Sequence, residues 1–504
     1  MDFLQILDAP IEPGGLVEWI PTVPGGLGSW RRDPRETSHN HEQHLRSAFE
    51  YRVATRREGG RESWLGVAID FAEPMSVPAI RAALSAYIDR HEVLRTHVVL
   101  KADRDAHYRT ERYTADPDTV HVTMSRIGWY TETALLLEQI AGSFDRATAP
   151  LHWPAYRFAT VARPDGFTLL FAADHSLVDG YSLVTAHYEL TELYRSARDR
   201  RPSVLGPPGS YLDFSDAQRR EADAGDASHP AIGVWREFLD RYRHALLASP
   251  LLDHDPTEPA LHDEGSVAVD IPDITVEIPD LTDDVTARIG SDPLTPDELS
   301  CRLPQPSRTA LILDDAAARR LEDFCAAAGA SLVGGVIGAL ALSFRSTTGA
   351  REFACIMPRH TRTDRTWIHS LGWFVGLAPL AVDVSDDPAL AEAARRSTAA
   401  LGDSRDGATL PFLRVAEILD VRSSPSLVVS YMDTRSTPRS DVGDAGAARV
   451  LRSHAYADDE VYIWVNRTPG GLRMHTRYPA GDGLAMEAFL DGFVDLLAST
   501  AKDG

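Results

Sequence analysis

A chain of 504 residues has length for two to four domains, and its formal charge of −23 argues against nucleic-acid partners, which need a basic surface. An apolar fraction of 43% beside 25% charged residues is that of a soluble globular protein. Cys301, Cys325 and Cys355 form no close pair, which excludes a zinc ribbon or a disulfide framework and implies a reduced, cytoplasmic setting.

The first residues, Met1 to Asp8, carry neither a basic region nor a long apolar run, so no signal peptide is expected. Ser38-His-Asn-His-Glu-Gln-His44 reads as the start of a helix. His39, His41 and His44 have a spacing that a metal site can use on a helix, but no cysteine or carboxylate cluster elsewhere matches it, and no metal is expected. Arg56, Arg57 and Arg61 in a Gly-rich loop are a candidate basic patch for a phosphate-bearing partner, against the plainer reading of solvated loop charges. Periodicity then predicts a helix over 77–90, a strand over 95–100 and a helix over 131–144.

Residues 168–173 form a short apolar run that reads as a buried strand, and Asp179-Gly180 turns the chain into a helix over 181–194. Between them lies Asp174-His-Ser-Leu-Val-Asp-Gly180. A histidine at a strand end, before a tight turn, is held by backbone while its ring faces open space. That suits a general base, because imidazole titrates nearest neutrality. An ordinary strand–loop–helix junction with a capping Asp and a turn Gly explains the spacing equally well.

The first half runs to residue 216 and a helical connection covers 217–250. Residues 251–304 are dense in Asp, Glu and Pro, which marks an acidic linker or insertion, although 267–279 alternates like an edge strand. The second half, 305–504, repeats the scheme. Strands are expected at 310–313, 352–357, 377–384, 426–430 and 461–465, with helices at 315–328, 332–344 and 484–498. The uncharged stretch 326–344 approaches membrane-spanning length, but its Ala, Gly and Ser content favours a buried helix packed closely against a sheet. No integral membrane segment is expected. Interleaved helices and strands indicate α/β or α+β layers in both halves.

Several separated motifs share a resemblance. Asp174-His-Ser-Leu-Val-Asp-Gly180 resembles the His-His-x-x-x-Asp-Gly signature of the condensation-domain and acyltransferase superfamily. Arg90-His-Glu-Val-Leu-Arg-Thr96 is similar to its N-terminal motif, and Pro358-Arg359 with Leu371-Gly-Trp-Phe-Val-Gly-Leu-Ala-Pro-Leu380 is similar to its C-terminal arginine and Gly-x-Phe region. Val429-Ser-Tyr-Met-Asp433 resembles the strand that carries Asn-Tyr in condensation domains. Gly14-Gly-Leu-Val-Glu-Trp-Ile-Pro21 and Gly209-Ser-Tyr-Leu-Asp213 look most like actinobacterial polyketide-associated acyltransferases.

The resemblance implies a V-shaped pair of chloramphenicol-acetyltransferase-like domains with a tunnel between them. It implies acyl transfer from a coenzyme A or carrier-protein thioester to a hydroxyl or amine acceptor, with no further cofactor, by a monomer. His175 would be the base. Asp179 would pair with Arg359 from the second half, and Gly180 would let the turn approach the tunnel wall. Trp373, Ser430 and Tyr431 would contact substrate, with core packing as the plainer role for each. Asp174 departs from the pattern, standing where the family has its first histidine. Strand alternation would turn it away from His175, to fix the loop by hydrogen bonding or to bear on the electrostatics of the imidazole. An ester-forming acyltransferase is the leading expectation, with an amide-forming condensation enzyme and an inactive carrier-binding protein as the alternatives.

Overall fold

In the computed structural model, which describes residues 1–55, 63–102, 108–242, 303–421, 425–456, 460–480 and 483–503, the apolar runs fall into two large sheets with helices laid on them, beside the small sheets β3-β6-β5 and β10-β16. The first half supplies β1 (Asp2–Gln5), β2 (Gly15–Thr22), β3 (Arg31–Asp33), β4 (Trp64–Phe71), β5 (Thr96–Ala102), β6 (Tyr108–Thr114), β7 (His121–Trp129), β8 (Tyr156–Ala162) and β9 (Phe167–Asp174). Its helices are α1 (His39–Thr55), α2 (Val77–Arg90), α3 (Thr133–Ala147) and α4 (Gly180–Asp199), and α5 (Tyr211–Ala224) and α6 (Pro230–Tyr242) lead out of it. The second half supplies β10 (Leu303–Pro304), β11 (Ser307–Asp314), β12 (Glu352–His360), β13 (Val375–Asp383), β14 (Leu427–Asp433), β15 (Ala448–Arg452), β16 (Ala455–Tyr456), β17 (Val461–Thr468) and β18 (Gly471–Arg477). Its main helices are α7 (Asp315–Ala327), α8 (Leu332–Thr348), α9 (Leu390–Asp403), α10 (Phe412–Leu419) and α11 (Gly483–Asp503). The acidic stretch 251–302, with its edge-strand expectation, and the Arg56, Arg57 and Arg61 patch lie outside the described residues.

Among the described residues the first sheet runs β1-β15-β4-β9-β8-β2-β7 and the second β11-β18-β17-β14-β12-β13. Every residue of β9 is buried, because both of its faces are covered. Phe167, Leu169, Phe171 and Ala173 pack with α2 and α4, whereas Leu170 and Ala172 pack with Leu136, Leu137 and Ile140 of α3. The side-chain alternation of a strand thus splits one apolar run between two cores. In the second half α7, α8 and α11 cover one face of the sheet, and α6 and α10 cover the other around Trp235, Ile356 and Val428. These are the α/β layers read from the sequence. One strand crosses between halves: β15 lies between β1 and β4 in the first sheet.

The small residues of α8 do more than face a sheet. A Cβ at Gly338 would meet Ala394 N at 2.8 Å and Ala393 C at 2.9 Å, and one at Gly334 would meet Ala394 O at 2.8 Å, so the close approach is to helix α9. Among the described residues no single helix is long and apolar enough to cross a membrane, and α7 meets α8 at a bend of 91°. Overpacking so tight a contact is expected to cost about 3 kcal/mol. Gly338→Leu should therefore lower the urea midpoint clearly, and an unchanged midpoint would contradict the helix-to-helix approach.

Candidate active site at the junction of the halves

β9 ends where its neighbours release it. Trp64 of β4 pairs with Asp174, and past that point the His175 N–H still donates to the Ser63 carbonyl at 3.1 Å. The Leu177 N–H donates to the Asp174 carbonyl at 2.9 Å and closes a tight turn. His175 is the half-buried residue in a run of buried ones from Phe171 to Asp179. Its Nδ1 is buried without a full hydrogen-bond partner, so the exposure that remains lies on the rest of the ring. Burial is the largest influence on the imidazole and pushes its pKa below 6.5. Its own backbone carbonyl and the carboxylates of Asp174 and Asp179 oppose that shift without reversing it.

Asp179 sits at the N-cap of α4 and accepts from the Ser182 N–H at 2.7 Å. The same carboxylate receives both terminal nitrogens of Arg362, at 2.6 and 3.1 Å, and the Phe374 N–H at 3.0 Å. The cap and the ion pair therefore coexist. Side-chain exposure is 2% for Asp179 and 4% for Arg362, so both charges have left water and depend on one another. Burial alone would raise the Asp179 carboxyl, but Arg362 and the Ser182 hydrogen bonds hold it below 3.8. The guanidinium also stacks at 4.2 Å from the Phe374 ring centre and 4.7 Å from that of Tyr181.

The partner of Asp179 is Arg362, not Arg359. Arg359 still belongs to β12, opposite Gly376, and its Nη2 donates to the Leu401 carbonyl at 2.6 Å and to Ser404 Oγ at 3.2 Å. It satisfies the C-terminal end of α9 within its own half. Arg362 comes after the strand has ended, where the Thr361 N–H donates to the Phe374 carbonyl and the chain turns towards the first half. From there its guanidinium reaches the start of α4.

Trp373 brings the second half directly onto the imidazole, with ring centres 4.7 Å apart. It is half-buried and packs against the first core. A Cβ at Gly180 would meet Met432 Cε at 3.2 Å and Phe3 Cε1 at 3.6 Å, so the glycine marks close contact between the start of α4, β14 and β1. Along β14 the faces separate. Met432 packs with the first core and Ser430 shares its face, whereas Tyr431 packs with the second core. Tyr431 is half-buried against that core, and burial raises its hydroxyl pKa. Ser430 remains half-buried on the face turned to α4.

Asp174 fixes the loop through the Ser176 N–H at 2.9 Å, as expected, but it also bonds to groups the sequence reading did not connect with it. His44 Nε2 lies 3.0 Å from its Oδ2, and Ser63 Oγ donates to the same oxygen at 3.0 Å. Burial would raise this carboxyl, yet His44 and Ser176 hold it down at about 2. The other two histidines go elsewhere. His39 Nε2 lies 2.8 Å from Asp223, and burial pushes His41, near Arg112, down to about 3.

Residues 57–260 match the family described as the condensation domain. The chain is 24% identical over 455 residues to 2'-acyl-2-O-sulfo-trehalose (hydroxy)phthioceranyltransferase PapA1 of Mycobacterium tuberculosis, covering 86% of this chain and 77% of that protein. It is 25% identical over 490 residues to acyltransferase PapA3 of the same species, covering 93% and 92%. The solved structure of the PapA2 acyl transferase matches with a TM-score of 0.79 at 21% identity, over 100% of both chains.

Removing Asp179 leaves Arg362 buried and unpaired. Asp179→Ala is expected to cost roughly 3–5 kcal/mol in chemical unfolding, while Arg359→Met costs about 1–2 kcal/mol. Replacing the pair together, with Asp179→Leu and Arg362→Met, should restore part of the loss, and equal costs for Asp179→Ala and Arg359→Met would contradict this assignment. A pH series tests Asp174. Because its folded pKa is depressed, its contribution is complete above the unfolded value of 3.8 and is lost as the pH falls through about 2. The parent should exceed Asp174→Asn in stability by about 2 kcal/mol at neutral pH. That gap should close between those two values, and a gap that persists below pH 2 would refute it.

Proposed function

We propose that the chain is an acyltransferase of the condensation-domain superfamily, which forms an ester from an acyl thioester and a hydroxyl with His175 as general base. The observation that carries this reading is the imidazole itself: a ring held by backbone at a strand end, its Nδ1 buried, set against Trp373 of the other half. A pKa below the ordinary histidine value keeps the ring deprotonated at neutral pH, ready to accept a proton.

The open ring nitrogen, Nε2, takes the proton of the acceptor hydroxyl as its oxygen attacks the thioester carbonyl. A C–O bond forms, the tetrahedral intermediate collapses with cleavage of the C–S bond, and the imidazolium returns the proton to the departing thiolate. Asp179 and Arg362 take no proton. They hold the two halves in register, so that Trp373 and His175 meet a substrate together. Positioning of both reactants at one nitrogen supplies much of the rate beyond the general-base term. The donor is a coenzyme A or phosphopantetheine thioester. The acceptor is a polyketide alcohol, sugar or glycolipid, a class supported by the name of PapA1, which describes transfer onto a sulfated, acylated trehalose.

Incubation with acyl-coenzyme A or acyl-carrier protein and mixed hydroxyl and amine acceptors, read by product mass, should yield ester. Amide as the sole product would overturn the ester reading, and no turnover would leave a carrier-binding role. His175→Ala should lower kcat by about 10²–10⁴-fold. In the parent, kcat/KM should fall on the acid side with a midpoint below 6.5, as His175 takes up a proton. Unchanged turnover in the variant would remove His175 as the base.

A further inference from the structure

The bonds of Asp174 place a second imidazole beside the first. His44 projects from α1 with 19% of its side chain exposed, whereas Asp174 is 1% exposed. The ring stands edge-on to Trp373, at 6.0 Å between centres and 87° between planes, and the same indole lies 4.7 Å from His175. A substrate lying along Trp373 towards His175 therefore passes His44.

The orientation of the ring follows from the chemistry of its partners. An ionised carboxylate only accepts, so the His44 nitrogen 3.0 Å from Asp174 Oδ2 is the one that carries hydrogen. Ser63 closes the cluster, 3.0 Å from the same oxygen and 3.2 Å from His44 Nε2. Both Nε2 and the rotation of the ring are thereby committed. In the neutral ring a hydrogen on Nε2 makes Nδ1 a pure acceptor. His44 Nδ1 has no hydrogen-bond partner among the described residues, and it is not among the polar atoms sealed from solvent. An oriented acceptor beside the reacting base, with its own position fixed by a buried carboxylate, is built to meet a donor.

We propose that His44 is a substrate-binding residue, fixed by Asp174 and Ser63 so that its Nδ1 accepts a hydrogen bond from an N–H or O–H of the substrate that reaches His175. The site rests on the acyl-transfer reading for its location at the junction. Two sources supply such a donor: an amide N–H of the pantetheine arm, or a second hydroxyl of a polyol acceptor.

The test uses the full chain carrying His175→Ala, labelled with ¹⁵N at histidine, with the His44 Nδ1 resonance identified by its loss on His44→Phe. Pantetheine and methyl glucoside are titrated separately. Saturable movement of Nδ1 by one of them supports the inference and names the source, and movement by neither overturns it. In the otherwise native enzyme, His44→Phe should raise KM for the substrate so identified at least tenfold, more than kcat falls. His44→Gln, whose amide oxygen can accept, should recover part of that loss. Equal losses in kcat and KM with a lower melting temperature would make the ring structural and overturn the assignment. Movement of Nδ1 in a protein whose native form transfers no acyl group would refute the proposed reaction and leave the binding role of His44 standing.

Discussion

One buried ion pair sets the terms for everything around it. Asp179 and Arg362 come from different halves, and neither reaches water. Charges removed from solvent are tolerated only where geometry is good and every remaining lone pair is used. The four contacts to the Asp179 carboxylate, from Ser182, Phe374 and both ends of Arg362, meet that demand. They leave the halves little freedom to slide. Phe374 is the neighbour of Trp373, and Asp179 opens the helix that follows His175. The pair therefore positions the indole and the imidazole by the same set of bonds.

The two carboxylates that bracket His175 have opposite assignments. Asp179 reaches across to the second half, and Asp174 turns back to α1 and Ser63 in the first. Both are held ionised against the pull of burial. An imidazole between two anions would ordinarily gain proton affinity. Here desolvation outweighs them, and the ring's proton affinity falls. The environment that holds the motif ionised at its ends keeps the imidazole at its centre neutral.

Much of this was legible in the sequence where periodicity is strong. The helix read at 77–90 is α2, and the one read at 315–328 ends a single residue early. His175, Asp179 and Gly180 lie where motif and turn chemistry put them. Arg362 was not legible, because a motif counts residues along the chain, whereas reach across the junction depends on where β12 stops. The link between Asp174 and His44 spans a separation that only the packing of β4, β9 and α1 closes, and the triple-histidine stretch by itself reads as no more than the start of a helix. Tyr431 and Ser430 are adjacent in sequence, but strand alternation turns them to opposite faces of the sheet. β15 is short and includes Arg449 and Arg452, so it offers no apolar alternation to read.

The course of β15 also bears on how the chain is made. Synthesis delivers β1, β4 and β9 early, yet among the described residues β1 pairs in its sheet with β15 alone, and β4 has β9 on its other side. Until residue 452 leaves the ribosome, the first sheet has a bare edge at β4 and a stranded N-terminal segment. Open edges are the places where chains pair with the wrong partner. The N-terminal half, although it carries the imidazole, is thus an incomplete folding unit. Its last structural piece arrives only after most of the second half has been made, so any split at the apparent midpoint would leave the edge of β4 open.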